Sequence, residues 1–235
     1  MIELTLIQKI AVFAIPVIFA ITLHEAAHGY VARYFGDMTA AAQGRISINP
    51  IRHIDPVGTI LVPLLILVAS KLLGGGAILF GWAKPVPVNF GRLRRPKQDM
   101  LWVALAGPGM NLAMAVFWAL MIQFGHALGS GFASLPLMLM GAAGVFINVI
   151  LMALNLIPLP PLDGGRVAVS LLPVRQAMKF AKLEPYGLFI LLGLLFTGIL
   201  GFILWPVISV FIGLVALVTG LEPGQLVGLI QVVLA

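Results

Sequence analysis

The segment IAVFAIPVIFAITLHEAAH, residues 10–28, joins a run of uncharged, mostly apolar residues directly to His24, Glu25 and His28. Histidines four residues apart on a helix lie on one face, one turn apart, and can bind a single metal ion. Ionisable side chains inside an apolar helix are costly to bury in lipid, so they indicate function rather than packing. The segment therefore predicts a metal site within or at the edge of a lipid bilayer.

The composition is typical of a polytopic membrane protein. Apolar residues make up 61% of the 235 residues and charged residues 9%, whereas soluble domains average about 45–50% and about 25%. No polar stretch is long enough for a separate soluble domain, so we expect residues 1–235 to form a single integral membrane domain. Cysteine is absent, which excludes disulfides and thiolate metal ligands.

The pattern of apolar runs predicts an all-α membrane protein with five to six transmembrane helices. Clear spans are expected at residues 6–34, 100–124 and 135–159. The uncharged run 187–221 is too long for one crossing of a hydrocarbon core of about 30 Å. We therefore expect two helices there, turning near Trp205-Pro206.

The stretch between the first span and the span that begins at Met100 predicts a different structure. Residues 43–50 alternate like a short strand, and the apolar run 57–73 is short for a crossing. Prolines at two alternate positions in segment 81–89 exclude a helix and favour an extended chain with one bare edge. We expect a short re-entrant or β-like segment here, or a crossing with an extended return.

The charged loops predict the orientation. The net charge of +6 arises from Lys and Arg residues clustered in loops, which indicates membrane orientation and not nucleic-acid binding. The loops around 92–97 and 166–182 are basic, and the loop 126–134 between them has no Lys or Arg. By the positive-inside rule we expect the first two on the cytoplasmic side of the cell membrane.

Asp163 is the candidate for a third ligand, because a catalytic zinc site uses three protein ligands and a water. It follows an apolar span and a proline-rich stretch, and two glycines come directly after it. An alternative is that Asp163 caps the following helix. If the first span also runs toward the cytoplasm, Asp163 and both histidines lie at the same end of the bundle.

Three motifs resemble the site-2 protease family of zinc intramembrane metalloproteases. His24, Glu25 and His28 match its H-E-x-x-H motif. Its second motif, N-x-x-P-x-P-x-L-D-G-G, matches residues 155–165, and residues 106–111 are similar to its middle core helix. The resemblance covers a three-helix catalytic core, residues 5–35 and 98–166, with 186–235 as additional membrane helices. We expect a small form without a PDZ or CBS domain.

This resemblance implies Zn²⁺ bound by His24, His28 and Asp163, with Glu25 as the general base and acid. It also implies that Asn155 bonds the substrate backbone or the oxyanion, although a bond to a neighbouring helix is an equal alternative. The expected substrates are transmembrane or membrane-anchored proteins, cleaved within or near the bilayer. An unwound substrate could pair with the extended segment 81–89 as an added strand.

Two other functions fit part of the pattern. A transporter or channel could use intramembrane His, Glu and Asp side chains to relay ions or protons, but it has no need of the two-histidine spacing. A catalytically silent relative could bind membrane proteins, but it has no need of Glu25. Among the remaining polar residues, we expect His53 and His126 to be solvated or capping histidines in loops, and Asn111 and Asn148 to bond neighbouring helices.

Overall fold

The computed structural model describes residues 4–62, 64–66, 68 and 81–235 of the chain, and this part is predominantly helical. Between the helices Thr39–Ala42 and Pro96–Ala127, 3₁₀ turns occur at Pro50–His53 and Phe90–Arg92, and a π-helical turn occurs at Pro56–Leu61. The α-helices whose bounds the structure describes are α1 Leu6–Tyr34, α2 Thr39–Ala42, α3 Pro96–Ala127, α4 Ser134–Asn155, α5 Asp163–Leu171, α6 Val174–Ala181, α7 Glu184–Phe196, α8 Ile199–Thr219 and α9 Pro223–Leu234.

Four of these helices, α1, α3, α4 and α8, are long and apolar enough to cross a membrane. Helices α7 and α9 are apolar but shorter, with 13 and 12 residues. The predicted all-α membrane architecture is confirmed for the described residues. The count of five to six spans stays a prediction, because part of the expected span at 57–73 lies outside the described residues.

The helix ends follow from local chemistry. Helix α1 begins after Thr5, whose side chain accepts from the Gln8 N–H while the Gln8 side chain accepts from the Thr5 N–H, a capping box. Helix α4 ends at Asn155, four residues before the predicted end at 159. The proline-rich stretch explains the difference, because the residue before a proline avoids helical geometry.

The turn predicted near Trp205-Pro206 is in the wrong place. Both residues lie inside α8, and the break between α7 and α8 comes earlier, at Gly198. Gly198 has φ +76°, in the left-handed region that glycine adopts without a Cβ clash. A glycine that takes positive φ can reverse the chain direction, whereas a proline can remain inside a membrane helix when its surroundings satisfy the freed carbonyl.

Helices α1, α3 and α4 pack against one another and form the centre of the bundle. The approach of α3 to α4 depends on small residues. A Cβ added at Gly144 would lie 2.2 Å from the Trp118 ring, and one at Gly141 would lie 2.8 Å from the Trp118 carbonyl. Helices in membranes associate through such close contacts because burial in lipid supplies no hydrophobic drive between them.

The strand expected at 43–50 is not present, and no strand occurs elsewhere in the described residues. Residues 39–42, just before this stretch, form a helical turn. At its end Asn49 caps the 3₁₀ turn Pro50–His53 by accepting from the Ile51 N–H. Residues 81–89, which the sequence predicts to be extended, are non-helical in the structure, because their prolines exclude a helix. The path between these segments, at 69–80, lies outside the described residues.

Asp37 joins segment 81–89 to the end of α1. Its fully buried carboxylate accepts the N–H and hydroxyl of Thr39 and, at 2.7 Å, the N–H of Asn89. Burial disfavours the charged form, but these hydrogen bonds outweigh it, so the pKa of Asp37 lies below its ordinary value. The ionised carboxylate thus holds the extended segment against the helix that carries the two histidines.

Candidate metal centre

His24, His28 and Asp163 converge at one point among the helices. The two Nε2 atoms lie 3.1 Å apart, and each lies 3.2 Å from Oδ2 of Asp163. All three side chains belong to buried residues, with exposed fractions of 7%, 7% and 6%. Two histidines of α1 and an aspartate more than 130 positions later in the chain therefore present three ligand atoms to a common point.

The turn before α5 aims Asp163 at the histidines. Helix α5 begins at Asp163 with Leu162 as its N-cap, and the Asp163 side chain makes no capping hydrogen bond. A Cβ at Gly164 would lie 2.3 Å from the Leu156 carbonyl oxygen, and one at Gly165 would lie 2.4 Å from the Pro160 nitrogen. The two glycines therefore let the chain fold back tightly, and the capping alternative for Asp163 is not what the structure has.

His28 is oriented by the backbone of α3. Its Nδ1 lies 2.7 Å from the carbonyl oxygen of Val103. Since a carbonyl only accepts, Nδ1 carries the proton and donates it. The lone pair of the neutral ring is then on Nε2, the atom that faces Asp163.

His24 is oriented by a chain of two asparagines. Its Nδ1 lies 2.6 Å from Oδ1 of Asn111, and Nδ2 of Asn111 donates to the Ala20 carbonyl at 3.2 Å and to Oδ1 of Asn148 at 2.9 Å. Asn148 in turn donates to the Gly144 carbonyl at 2.8 Å, and both asparagines are fully buried. Because both amide hydrogens of Asn111 are used, its oxygen must accept, and His24 also has its lone pair on Nε2.

The donor set fits a zinc ion. With both Nδ1 atoms protonated, three lone-pair atoms face one another, and Oδ2 of Asp163 has no hydrogen-bond donor within the described residues. Tetrahedral zinc with bonds of 2.0–2.1 Å spaces its ligand atoms about 3.3–3.4 Å apart, close to the 3.1–3.2 Å between these atoms. Two histidines and one carboxylate also form a known catalytic zinc set.

Glu25 lies beside the centre on the same helix but bonds a different element. Its Oε2 accepts the Val86 N–H at 2.7 Å. Val86 is buried at 5% exposure and packs over Gly29, where an added Cβ would lie 3.1 Å from the valine Cγ1. Segment 81–89 is therefore seated on α1 and holds the carboxylate of Glu25.

The sequence suggested that segment 81–89 has one edge with unpaired backbone groups, but most N–H groups of this segment are hydrogen-bonded in the structure. The N–H groups of Trp82, Lys84 and Val86 donate to the Gly58 carbonyl, the His53 carbonyl and Glu25. The alternate positions include two prolines, which have no N–H to offer. Few donors remain for an added strand.

Asn155 is the last residue of α4, and its Nδ2 donates to the Leu151 carbonyl of the same helix at 3.0 Å. Asn155 therefore does not make the bond to a neighbouring helix that was its alternative role. Its role in catalysis stays a prediction. His53, expected to be solvated or capping, is buried and is not solvated, with Nε2 2.8 Å from the Ser47 carbonyl oxygen. His126 lies in the last turn of α3 and pairs with Gln225.

Gly107 is a residue of the site that the sequence did not single out. A Cβ there would lie 2.4 Å from Nε2 of His28 and 2.6 Å from Nε2 of His24. Helix α3 therefore contacts the ligand atoms with bare backbone. Gly107 belongs to the family-like stretch 106–111. Glycines are common in membrane helices, however, so a glycine there does not by itself indicate a residue of the metal site.

Comparison with known proteins defines the class. A family model described as Peptidase family M50 matches residues 121–198. "Putative zinc metalloprotease YwhC" of Bacillus subtilis is 39% identical over 198 residues, 83% of this chain and 84% of that protein. "Putative zinc metalloprotease Rip2" of Mycolicibacterium smegmatis is 30% identical over 76% of this chain and 64% of that protein. No solved structure is significantly similar to this chain.

The chain therefore belongs to peptidase family M50, the site-2 protease family. It is a zinc metalloprotease built into a membrane by its apolar helices. The resemblance drawn from the H-E-x-x-H and N-x-x-P-x-P-x-L-D-G-G motifs is confirmed at the level of the family.

Substitution of Gly107 tests the contact between α3 and the ligand atoms. We expect Gly107→Ala to lower zinc affinity at least tenfold, because the methyl group would occupy space next to both Nε2 atoms. Gly109→Ala is the matched control, since no atom lies within 4 Å of a Cβ added there. Zinc affinity is measured by competition with a chromophoric chelator; equal affinities of the two variants would contradict the placement of Gly107.

Substitution of Asn111 tests the orientation of His24. We expect Asn111→Leu to weaken zinc binding by about 10- to 100-fold, the range found when partners of metal-bound histidines are removed. Asn111→Asp keeps an acceptor for the Nδ1 proton but loses the bonds donated to Ala20 and Asn148, so it should restore only part of the affinity. If both variants bind zinc like the parent protein, Asn111 does not orient the ligand.

Proposed function

We propose that the protein is an intramembrane endopeptidase that hydrolyses peptide bonds in or near transmembrane segments of other membrane proteins, as in regulated intramembrane proteolysis. The observation that carries this proposal is the convergence of His24, His28 and Asp163 to within 3.2 Å among apolar helices. A site buried there can be reached most directly by substrates that are themselves in the membrane.

In this proposal His24, His28 and Asp163 hold the zinc ion. When bound, the metal lowers the pKa of a coordinated water to about 7 and polarises the scissile carbonyl. The Asn111 amide and the Val103 carbonyl fix the tautomer of both imidazoles by accepting their Nδ1 protons. Both rings thus direct Nε2, the atom that binds the metal, toward Asp163.

Glu25 is the proposed general base and acid. It precedes the buried Ala26 and follows the first histidine, and its Oε2 is held by the Val86 N–H at 2.7 Å. One carboxylate oxygen is thus fixed, and the carboxylate can take a proton from the attacking water and return it to the leaving amine. Asn155 is proposed to bond the substrate backbone or the oxyanion from the end of α4.

Substrate must unwind to reach the site, because the backbone of an intact helix is closed to attack. Segment 81–89 is non-helical backbone in direct contact with Glu25, and it could pair with an unwound substrate. Its inward hydrogen bonds favour a second role, in which Val86 positions the base. Strand pairing through this edge would have to use its carbonyl groups more than its N–H groups.

The proposed orientation places the metal centre near the cytoplasmic face of the cell membrane. Arg94 and Arg95 directly precede α3, and Lys97 lies in its first turn, where Nζ donates to the Leu172 carbonyl after α5. Basic residues from two loops thus lie at the end of the bundle where Asp163 lies. Such an excess of Lys and Arg marks cytoplasmic loops.

The transporter or channel alternative has less support. An ion or proton relay requires groups that change their protonation or exchange their ligands. Here both imidazoles instead turn Nε2 to one carboxylate oxygen of Asp163 at 3.2 Å, which is the arrangement of ligands around a single ion. Family membership also favours a protease over a relay.

Substitution of Glu25 tests the proposed chemistry. We expect Glu25→Gln to lower cleavage of a membrane-anchored reporter by about 10²–10⁴-fold, because the amide cannot accept the proton. Zinc content should remain that of the parent protein, since Glu25 is not a ligand in this proposal. Glu222→Gln, at an exposed carboxylate, is the control. Retained cleavage by Glu25→Gln would remove Glu25 from the mechanism.

Proline substitutions test the role of the Val86 N–H. We expect Val86→Pro to reduce cleavage about tenfold or more, because the loss of a hydrogen bond to a charged group costs about 1.5–3 kcal/mol. Val88→Pro is the matched control, because the Val88 N–H has no acceptor within the part of the chain that the structure describes. Equal activities of these two variants, in proteoliposomes with equal zinc content, would show that Val86 does not position the base.

A further inference from the structure

Helix α6, Val174–Ala181, has a surface that the proposed chemistry does not use. It has eight residues, or about 12 Å at 1.5 Å per residue, so it cannot cross a hydrocarbon core of about 30 Å. Ala177 faces inward and is buried, whereas Val174 and Met178 are 64% and 61% exposed. An apolar stripe is therefore left uncovered on a helix that does not span the membrane.

One more exposed apolar side chain lies at the end of α5. Val174 and Met178, four residues apart in α6, lie on one helical face. Leu171, the last residue of α5, is 67% exposed. Leu172 and Pro173 between the two helices are extended, so Leu171 adds apolar surface close to α6 without belonging to its helical stripe.

A cationic stripe runs beside the apolar one. Arg175, Lys179 and Lys182 are all exposed and are spaced four and three residues apart. Between Asp163, at the metal centre, and Glu184 the chain has no acidic residue. Apolar and cationic stripes side by side on a short helix are the signature of a helix that lies in the plane of a membrane surface.

The connection between α5 and α6 is fixed at the basic end of the bundle. The Lys97 Nζ donates to the Leu172 carbonyl at 2.5 Å, which joins this connection to the first turn of α3. Helix α5 in turn begins at Asp163 and packs against both α3 and α6. The depth of α6 in the membrane is therefore coupled to the element that carries Asp163.

We propose that α6 lies in the headgroup layer of the bilayer and binds anionic phospholipid. Leu171, Val174 and Met178 enter the boundary of the acyl chains, and the three cationic side chains contact lipid phosphates. Charge complementarity selects this occupant, because a protein partner of the apolar stripe would have to accommodate the adjacent cations. The inference concerns the lipid surface and does not depend on the proteolytic function.

The absence of cysteine makes a direct test possible, because a single introduced cysteine is a unique labelling site. Met178→Cys and Gln176→Cys are each labelled with an environment-sensitive fluorophore in the full-length protein. Position 176 is exposed on the opposite face of α6 and serves as the matched control. The proteins are reconstituted in vesicles of equal parts phosphatidylcholine and phosphatidylglycerol, and equal zinc content confirms equivalent folding.

We expect nitroxide groups on the lipid acyl chains to quench the label at 178, and aqueous iodide to quench the label at 176. Quenching of the 178 label by iodide alone would overturn the proposal, because the stripe would then face water. Protection of the 178 label from both quenchers would overturn it as well, because a second copy of the chain or another protein would then cover the stripe.

The charge arm uses phosphatidylcholine vesicles with a small fraction of nitroxide-labelled lipid. Labelled phosphatidylglycerol should quench position 178 about twofold more than labelled phosphatidylcholine, because cations near the surface concentrate anionic lipid. Combined Arg175→Gln, Lys179→Gln and Lys182→Gln substitutions should abolish that difference. A difference that is absent in the parent protein, or that persists in the triple variant, would contradict anionic-lipid binding by this stripe.

Discussion

Three lone pairs that face one another among apolar helices constrain the rest of this structure. The Nε2 atoms of His24 and His28 and the Oδ2 atom of Asp163 lie 3.1–3.2 Å apart, and with both Nδ1 protons donated elsewhere each neutral ring presents a lone pair. Such a cluster is unfavourable in a low-dielectric interior unless a cation occupies it. The fold must therefore both assemble the ligands and keep them in the protonation state that binds metal.

The surroundings of the centre meet this requirement with few side chains. The Val103 carbonyl and the Asn111 amide oxygen accept hydrogen bonds from the two Nδ1–H groups. Asn148 accepts from Nδ2 of Asn111 and so fixes the orientation of the Asn111 amide. Gly107 lets α3 approach both ligand nitrogens without a side chain between them. The polar groups that orient the two histidines are thus hydrogen-bonded in a single arrangement, which gives a rigid site.

Segment 81–89 adds a non-helical element to this helical frame. Two of its attachment points are Asp37, just after α1, and Glu25, within α1. Extended backbone at membrane depth is tolerated only where protein or a water-filled cavity surrounds it. Its attachment to the helix that carries both histidines links any movement of the segment to the carboxylate proposed as the base.

The sequence by itself determined the membrane class, the bounds of α1, the family and the three candidate ligands, because apolar runs, helical spacing and the two motifs are local signals. Tertiary structure decided the rest. The break at Gly198, the placement of Gly107 beneath the ligands and the bonds from Asn111 to His24 and from Val86 to Glu25 all join residues distant in the chain or depend on backbone angles. Local patterns do not encode such contacts, because the partner of a buried polar group is set by which helices pack together.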